Sequence, residues 1–280
     1  MKRQNELVVL ITGASSGIGQ ACAVYLAQRG YRVFGTSRSA SAKGSEVVQK
    51  AGVITMLRMD VNRNQSVKQG IRQVLRTAGR IDVVVNCAGF GIAGAVEDTP
   101  INEAKAQLGT NLFGAWRVCR EVIPIMRRQG GGCIVNISSI GGRIGIPFQA
   151  AYSASKFGLE GLSEALSAEV KPFGIRVVLI EPGDLHTQFT AHRIRTPQSQ
   201  SNPVYRESFR RALETMEKAE IDGPSPEIVA PLLKRIITSS SPRLRYTVGP
   251  ITERVAVVLK QFLPDRLFER LLMLSYKLSA

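Results

Sequence analysis

Tyr152 and Lys156 stand four residues apart in the run Tyr152-Ser153-Ala154-Ser155-Lys156. On a helix that spacing puts both side chains on one face, one turn from each other. An ammonium beside a phenol favours the ionised phenol, so Lys156 is expected to lower the pKa of Tyr152 from its free value of about 10 toward the working range. A phenol tuned this way gives and takes a proton at neutral pH, as a general acid/base must. Helices also carry such a pair with no chemistry attached, so the rest of the chain has to decide its meaning.

A second chemistry-bearing stretch is Thr12-Gly13-Ala14-Ser15-Ser16-Gly17-Ile18-Gly19. It follows the short apolar run from Leu7 to Ile11 and precedes a helical pattern through Cys22, Val24, Tyr25 and Leu26. A strand, a glycine loop and a helix start together offer free backbone N–H groups and the positive end of a helix dipole to a phosphate. Gly13 permits the turn, Gly17 lets the backbone approach a pyrophosphate, and Gly19 allows close packing of helix on strand. The loop, with Ser15, Ser16 and Ile18, is read as a dinucleotide site; the alternative is a glycine-rich turn without a ligand. The next strand, Tyr31 to Thr36, ends at Ser37 and Arg38 with no carboxylate. An acidic residue there would bond the ribose 2′-hydroxyl of NAD, whereas an arginine accommodates the 2′-phosphate of NADP. Arg38 therefore favours NADP(H), against the reading of a solvated loop charge.

Two further polar residues stay open on their own evidence. Asn111 lies in an apolar helical pattern and must find partners, as a structural bridge or as part of a polar site. Ser139 sits at the end of a strand, where it either polarises a substrate or caps the next helix.

The elements that must hold these residues follow from periodicity. Val53 to Met59, Ile81 to Val85, Cys133 to Ile137 and Ile175 to Ile180 read as further buried strands. Helical patterns run over 62–78, from about Asn102 through Val122, and from Tyr152 through Val170. The alternation predicts an α/β fold: a single-domain Rossmann-type, doubly wound parallel sheet with helices on both faces. Residues 1–250 form the expected catalytic domain. Within it, 184–226 is polar and proline-punctuated, and reads as a substrate flap rather than a solvated excursion. It contains a helix from Tyr205 to Lys218. Helix 226–236 and a last strand at Tyr246 to Val248 follow. Residues 251–280 are a C-terminal helical extension of basic amphipathic character, broken by Pro264. Such a tail either contacts an anionic membrane or packs against the body or a partner subunit.

The 280 residues are 44% hydrophobic and 21% charged, the profile of a soluble globular chain. The net charge of +15 attracts anions, yet the basic residues are scattered and no nucleic-acid-binding motif is present. Cys22, Cys87, Cys119 and Cys133 lie in apolar segments without metal-ligand spacing, so no metal is expected and the thiols read as buried and reduced, in a cytoplasmic protein. Met1-Lys2-Arg3 before Leu7 to Ile11 superficially resembles a signal peptide, but so short an apolar run reads better as a first strand.

Together the motifs resemble the short-chain dehydrogenase/reductase family over residues 7–187. The glycine loop is similar to the family's cofactor loop, Asp60-Val61 to its adenine-contacting pair, and Asn86-Cys87-Ala88-Gly89 to its Asn-Asn-Ala-Gly motif, with Cys87 as a departure. Asn111 matches the family's helix asparagine, Ser139 precedes Tyr152 by the family's interval, and Pro182-Gly183-x-x-x-Thr187 resembles the segment that holds the nicotinamide carboxamide, with Leu185 inside it.

The resemblance implies an NADP(H)-dependent oxidoreductase that moves a hydride between nicotinamide and a carbonyl or alcohol. In that scheme Tyr152 is the acid, Lys156 lowers its pKa and bonds the ribose, Ser139 stabilises the reacting oxygen, and Asn111 holds a water. By analogy the substrate is a bulky lipophilic molecule of retinoid, steroid or acyl-lipid type, with Phe90, Ile140, Phe148, Leu185 and Phe189 as pocket candidates by position. The family's habit implies a homo-dimer or homo-tetramer. The competing readings are a non-catalytic NADP(H) sensor and a membrane-surface scaffold.

Overall fold

The computed structural model describes residues 7–40, 45–49 and 52–278, the stretch 45–49 by its backbone alone. Ten strands and ten α-helices lie within them. The first strand, β1 (Val8–Thr12), is buried along its whole length because it occupies the middle of the sheet. Its side chains alternate between two layers. Val9 and Ile11 face α1 (Gly17–Ala27) and α8 (Val229–Thr238), while Val8 and Leu10 face α2 (Asn64–Ala78), α4 (Phe113–Arg128) and the end of α5 (Ala150–Val170). Apolar residues on both sides of each central strand are what a sheet covered by helices on both faces requires.

The remaining strands of the main sheet are β2 (Arg32–Ser37), β3 (Ser45–Gln49), β4 (Gly52–Arg58), β5 (Val83–Asn86), β7 (Gly132–Ile137), β8 (Ile175–Pro182) and β10 (Arg245–Val248). Their order is β10-β8-β7-β5-β1-β2-β4-β3. All neighbours are parallel except β3, which pairs antiparallel with β4 at the edge. The chain proceeds from β1 toward β2 and β4, then crosses to β5 on the other side of β1. That reversal opens a crevice beyond the carboxyl ends of β1 and β5, the usual ligand site of an open α/β sheet.

Four features differ from the periodicity reading. Strand β3 was not expected; Val47 and Val48 are too short an apolar run to stand out from a polar stretch. The helix expected to run from about Asn102 through Val122 is two helices, α3 (Ile101–Asn111) and α4, with the break at Leu112. A two-stranded pair, β6 (Ile92–Ala93) with β9 (Ile194–Arg195), is also new and ties the expected flap to the loop after β5. The flap helix is longer than expected, α7 (Arg206–Asp222), and is preceded by the short α6 (Pro197–Ser201).

The C-terminal residues form α9 (Ile251–Phe262) and α10 (Asp265–Ser275), separated at Pro264 as the sequence indicated. Each buries one main anchor: Val257 and Phe268 pack with Ile144, supported by Ile140 and Leu272. Among the described residues no helix is long and apolar enough to cross a membrane.

Candidate active site

The glycine loop is shaped by contacts that leave no room for side chains. Gly13 and Gly17 take left-handed backbone at φ 66° and 53°. A Cβ on Gly13 would stand 2.9 Å from Ala88 Cα, so the β1 and β5 loops touch here. A Cβ on Gly19 would stand 2.4 Å from the Gly13 carbonyl oxygen. Thr12 Oγ1 locks the same junction, accepting from the N–H groups of Cys87 and Ala88 at 3.0 and 3.1 Å. The N-terminus of α1 therefore faces the crevice with its first N–H groups free of helical partners.

Lys156 and Tyr152 project from α5 into the same crevice, and both are more than nine-tenths buried. Lys156 Nζ lies 5.7 Å from the Tyr152 ring centroid and donates to the Ile137 carbonyl at 2.8 Å. Ser139 approaches from the end of β7. Its Oγ accepts from Gly141 N–H at 3.0 Å, so it does cap a 3₁₀ turn, Ile140–Gly142. Ser139 also acts on the Tyr152 phenol, favouring its ionised form. A Cβ on Gly141 would stand 3.1 Å from Tyr152 Cε1, so this glycine lets Ser139 and Tyr152 meet. Asn111 is the bridge the apolar pattern demanded: Nδ2 donates to the Phe90 carbonyl at 3.0 Å and to Ser155 Oγ at 3.1 Å, and Oδ1 accepts from Phe90 N–H at 3.1 Å. It lines the crevice as well.

The electrostatics correct one expectation. Tyr152 is not brought below its ordinary pKa here. Burial pushes the phenol up to about 12, with Glu220 and Asp184 acting in the same direction and Ser139 and Arg193 opposing them. Lys156 is the group lowered, to about 8, chiefly by burial, against the pull of Cys87 and Glu160. Desolvating a phenolate costs more than an ammonium several ångströms away returns. Asp184 is also pushed up, by burial and by the neighbouring Glu253 and Glu220.

These residues line one cavity of about 650 Å³. The lining includes Gly13, Ser15, Ser16, Gly17 and Ile18 from the loop, Ser37 and the exposed Arg38 beyond β2, and Asp60 and Val61 beyond β4. Ala88 and Gly89 join from the β5 loop, and Pro182, Gly183, Leu185 and Thr187 from the end of β8. Left-handed glycines, a free helix N-terminus and a cationic end form a cradle that fits a dinucleotide. Phe90, Ile140 and Phe189 add an apolar side, with the Phe189 ring edge-on to Tyr152 at 5.6 Å between centroids.

Three expected residues lie outside the lining. Gly19 is buried beneath the loop. Asn86 turns its amide into the sheet and donates to Asn136 Oδ1 at 2.8 Å. Phe148, at φ 59°, packs edge-on against Tyr205 and Phe209 under the flap helix.

Other lining residues were not anticipated. Met216 and Glu220 come from α7 and Tyr276 from beyond α10. Glu220 is nearly buried, paired with Arg193 and bonded by Thr190 Oγ1 at 2.5 Å. A carboxylate on the apolar face of a flap helix was the available signal for Glu220. Nothing local marks Tyr276, which arrives by folding of the tail: it packs with Phe209 and Leu213 of the flap.

The comparisons with known proteins agree with this architecture. The short chain dehydrogenase family model matches residues 7–198. A 3-ketodihydrosphingosine reductase of Bacteroides thetaiotaomicron is 42% identical over 269 residues, covering 96% of this chain and 97% of that protein. The Homo sapiens 17-beta-hydroxysteroid dehydrogenase type 1 is 33% identical over 271 residues, covering 92% and 81%. A crystal structure of a short-chain dehydrogenase from Streptomyces avermitilis superposes with a TM-score of 0.77 at 30% identity, over 95% of this chain and 96% of that one. With a catalytic-type crevice at the sheet's crossover and this family match over most of its length, the chain belongs to the short-chain dehydrogenase family and is an oxidoreductase that uses a nicotinamide cofactor.

Proposed function

We propose that the protein is an NADP(H)-dependent reductase of a ketone on a bulky lipophilic molecule, a sphingoid-type keto-lipid first and a steroid-like carbonyl second, with Tyr152 as the general acid. One observation carries the reading: the Tyr152 phenol, the Ser139 hydroxyl and the Phe189 ring share a single cavity with the glycine loop and Arg38. The names of the Bacteroides and human relatives support a lipid substrate.

Arg38 and Ser37 would hold the 2′-phosphate, the α1 N-terminus the pyrophosphate, and Asp60 and Val61 the adenine side. When bound, the reduced nicotinamide supplies the hydride for the carbonyl carbon. The protein's groups handle the proton and the charge. Tyr152 keeps its proton at neutral pH and delivers it to the carbonyl oxygen. Ser139, in the same cavity as that phenol, shares the charge that develops on the same oxygen. Lys156 would bond the ribose and stabilises the phenolate left behind. Asn111 fixes the Phe90 loop against α5 and would hold a water on the path from Lys156 to solvent. Residues 184–226 act as the flap that excludes water from the apolar side. In reverse, the same groups oxidise the alcohol. We also infer a homo-dimer or homo-tetramer, formed through the faces of α4 and α5 that expose Phe113, Trp116 and Phe157.

Titration with NADPH and NADH, read by energy transfer from protein to reduced nicotinamide, tests the cofactor assignment. Tight NADPH binding that Arg38→Asp loses is expected. Equal binding of NADH by the unaltered protein removes the 2′-phosphate reading. NADPH consumption with a 3-keto sphingoid base and with a keto-steroid then ranks the substrates, and consumption with neither sinks the lipid assignment.

A further inference from the structure

The tail helices have more apolar surface than the body covers. On α9, Ile251, Val255, Val258, Leu259 and Phe262 follow one helical stripe and are 41 to 78% exposed. On α10, Leu267, Leu271 and Leu274 repeat the pattern at 46 to 70%. The anchors Val257 and Phe268 are on the buried side, so these eight residues form a second, outward face. Exposed Arg254, Arg266, Arg270 and Lys277 flank it. A soluble monomer seldom shows so continuous an apolar patch without a partner for it.

We infer that this outward face of α9 and α10 docks on the surface of an anionic lipid bilayer. Charge complementarity selects that occupant. The face is fringed with cations on a chain of net charge +15, so a second copy applied to it would bring like charges together. Acidic headgroups satisfy the cations while the stripe enters the acyl boundary, the arrangement of an interfacial amphipathic helix. The tail also reaches the cavity: Tyr276, just beyond α10, lines it and packs on the flap, and Glu253 Oε2 of α9 accepts from Asp184 N–H at 2.9 Å. A bilayer held by α9 and α10 thus lies next to the element that closes the lipophilic side of the cavity. Docking requires neither cofactor nor turnover, so it can succeed or fail independently of the proposed reaction.

Cosedimentation of the full-length protein with vesicles of phosphatidylcholine alone, and of phosphatidylcholine with phosphatidylglycerol, tests this. Binding to the phosphatidylglycerol vesicles is expected, weakened by salt and reduced roughly tenfold or more by Val258→Glu with Phe262→Glu. Both positions are exposed, so the double variant should keep its thermal midpoint and its turnover of a small soluble ketone. Absence of binding to either vesicle overturns the proposal, as does binding that the double variant leaves unchanged. A dimer that the double variant dissociates, without vesicle binding by the unaltered protein, assigns the face to a second copy instead.

Discussion

Burial and the neighbouring Ser139 pull the Tyr152 proton in opposite directions, and burial wins: the phenol is pushed up to about 12. A tyrosine in that state is a proton donor throughout the physiological range, which suits carbonyl reduction. Tyr152→Phe removes the donor while keeping the ring against Phe189. Its kcat should fall by about 10²–10⁴-fold with NADPH affinity retained. A variant that turns over a ketone at the normal rate would exclude Tyr152 as the acid. The pH dependence is expected to follow Lys156. Its amine is held near 8, so it is charged below that pH and neutral above it. Loss of the charge removes stabilisation from the phenolate that forms during reduction. Reductive kcat/KM is therefore expected to decline above about pH 8, well before Tyr152 itself titrates. In Lys156→Arg, whose charge persists, any residual activity should lose that descending limb; the same limb in the variant would assign it to another group.

Scaffold contacts explain why some motif residues do not face the cavity. Asn86 ends β5 and joins a buried chain: it donates to Asn136, whose Nδ2 donates to Ser163 Oγ at 2.8 Å, and that hydroxyl donates to Leu159 O at 2.6 Å. The chain fastens β5 and β7 to α5, the helix that carries Tyr152 and Lys156. In Asn86→Ala the completely buried Asn136 loses a donor. The expected cost is about 1–3 kcal/mol, read by denaturant unfolding, with little change in cofactor affinity. A large loss of NADPH binding at unchanged stability would show that Asn86 contacts the cofactor after all. The break between α3 and α4 belongs to the same scale. It falls immediately after Asn111, whose side chain is held from two directions by Phe90 and Ser155. The β6–β9 pair likewise anchors Ile194 and Arg195 to the loop that carries Phe90.

The whole molecule distributes its apolar surface unevenly. Two layers bury the central strands β1 and β5, yet α4 and α5 leave Trp116 half exposed and Phe157 46% exposed, with Phe113 6.4 Å from Trp116 between centroids. Aromatic rings at this level of exposure fit a subunit interface. Trp116→Asp with Phe157→Asp is expected to shift the sedimenting species to the monomer while leaving the fold intact; an unaltered assembly would place the interface elsewhere. The tail's outward stripe lies on separate elements, so the proposed subunit association and the proposed lipid contact are testable independently.

Local chemistry made much of this protein readable from its residues. Gly13 and Gly17 need left-handed backbone, β1 is apolar at every alternate position toward both layers, and Tyr152 and Lys156 share a helix face. Each follows from the conformational limits of a few adjacent residues, and so the sheet, the turn of the glycine loop and the shared helix face of Tyr152 and Lys156 could be anticipated. Other features depended on groups far apart in the chain. Asn86 spends its amide on Asn136, Phe148 packs on α7, Met216, Glu220 and Tyr276 line the same cavity as Tyr152, and burial raises the phenol that Lys156 was expected to lower. Burial decides all of these. Desolvation and packing depend on every element that closes over a site, and only the assembled tertiary structure specifies which elements those are.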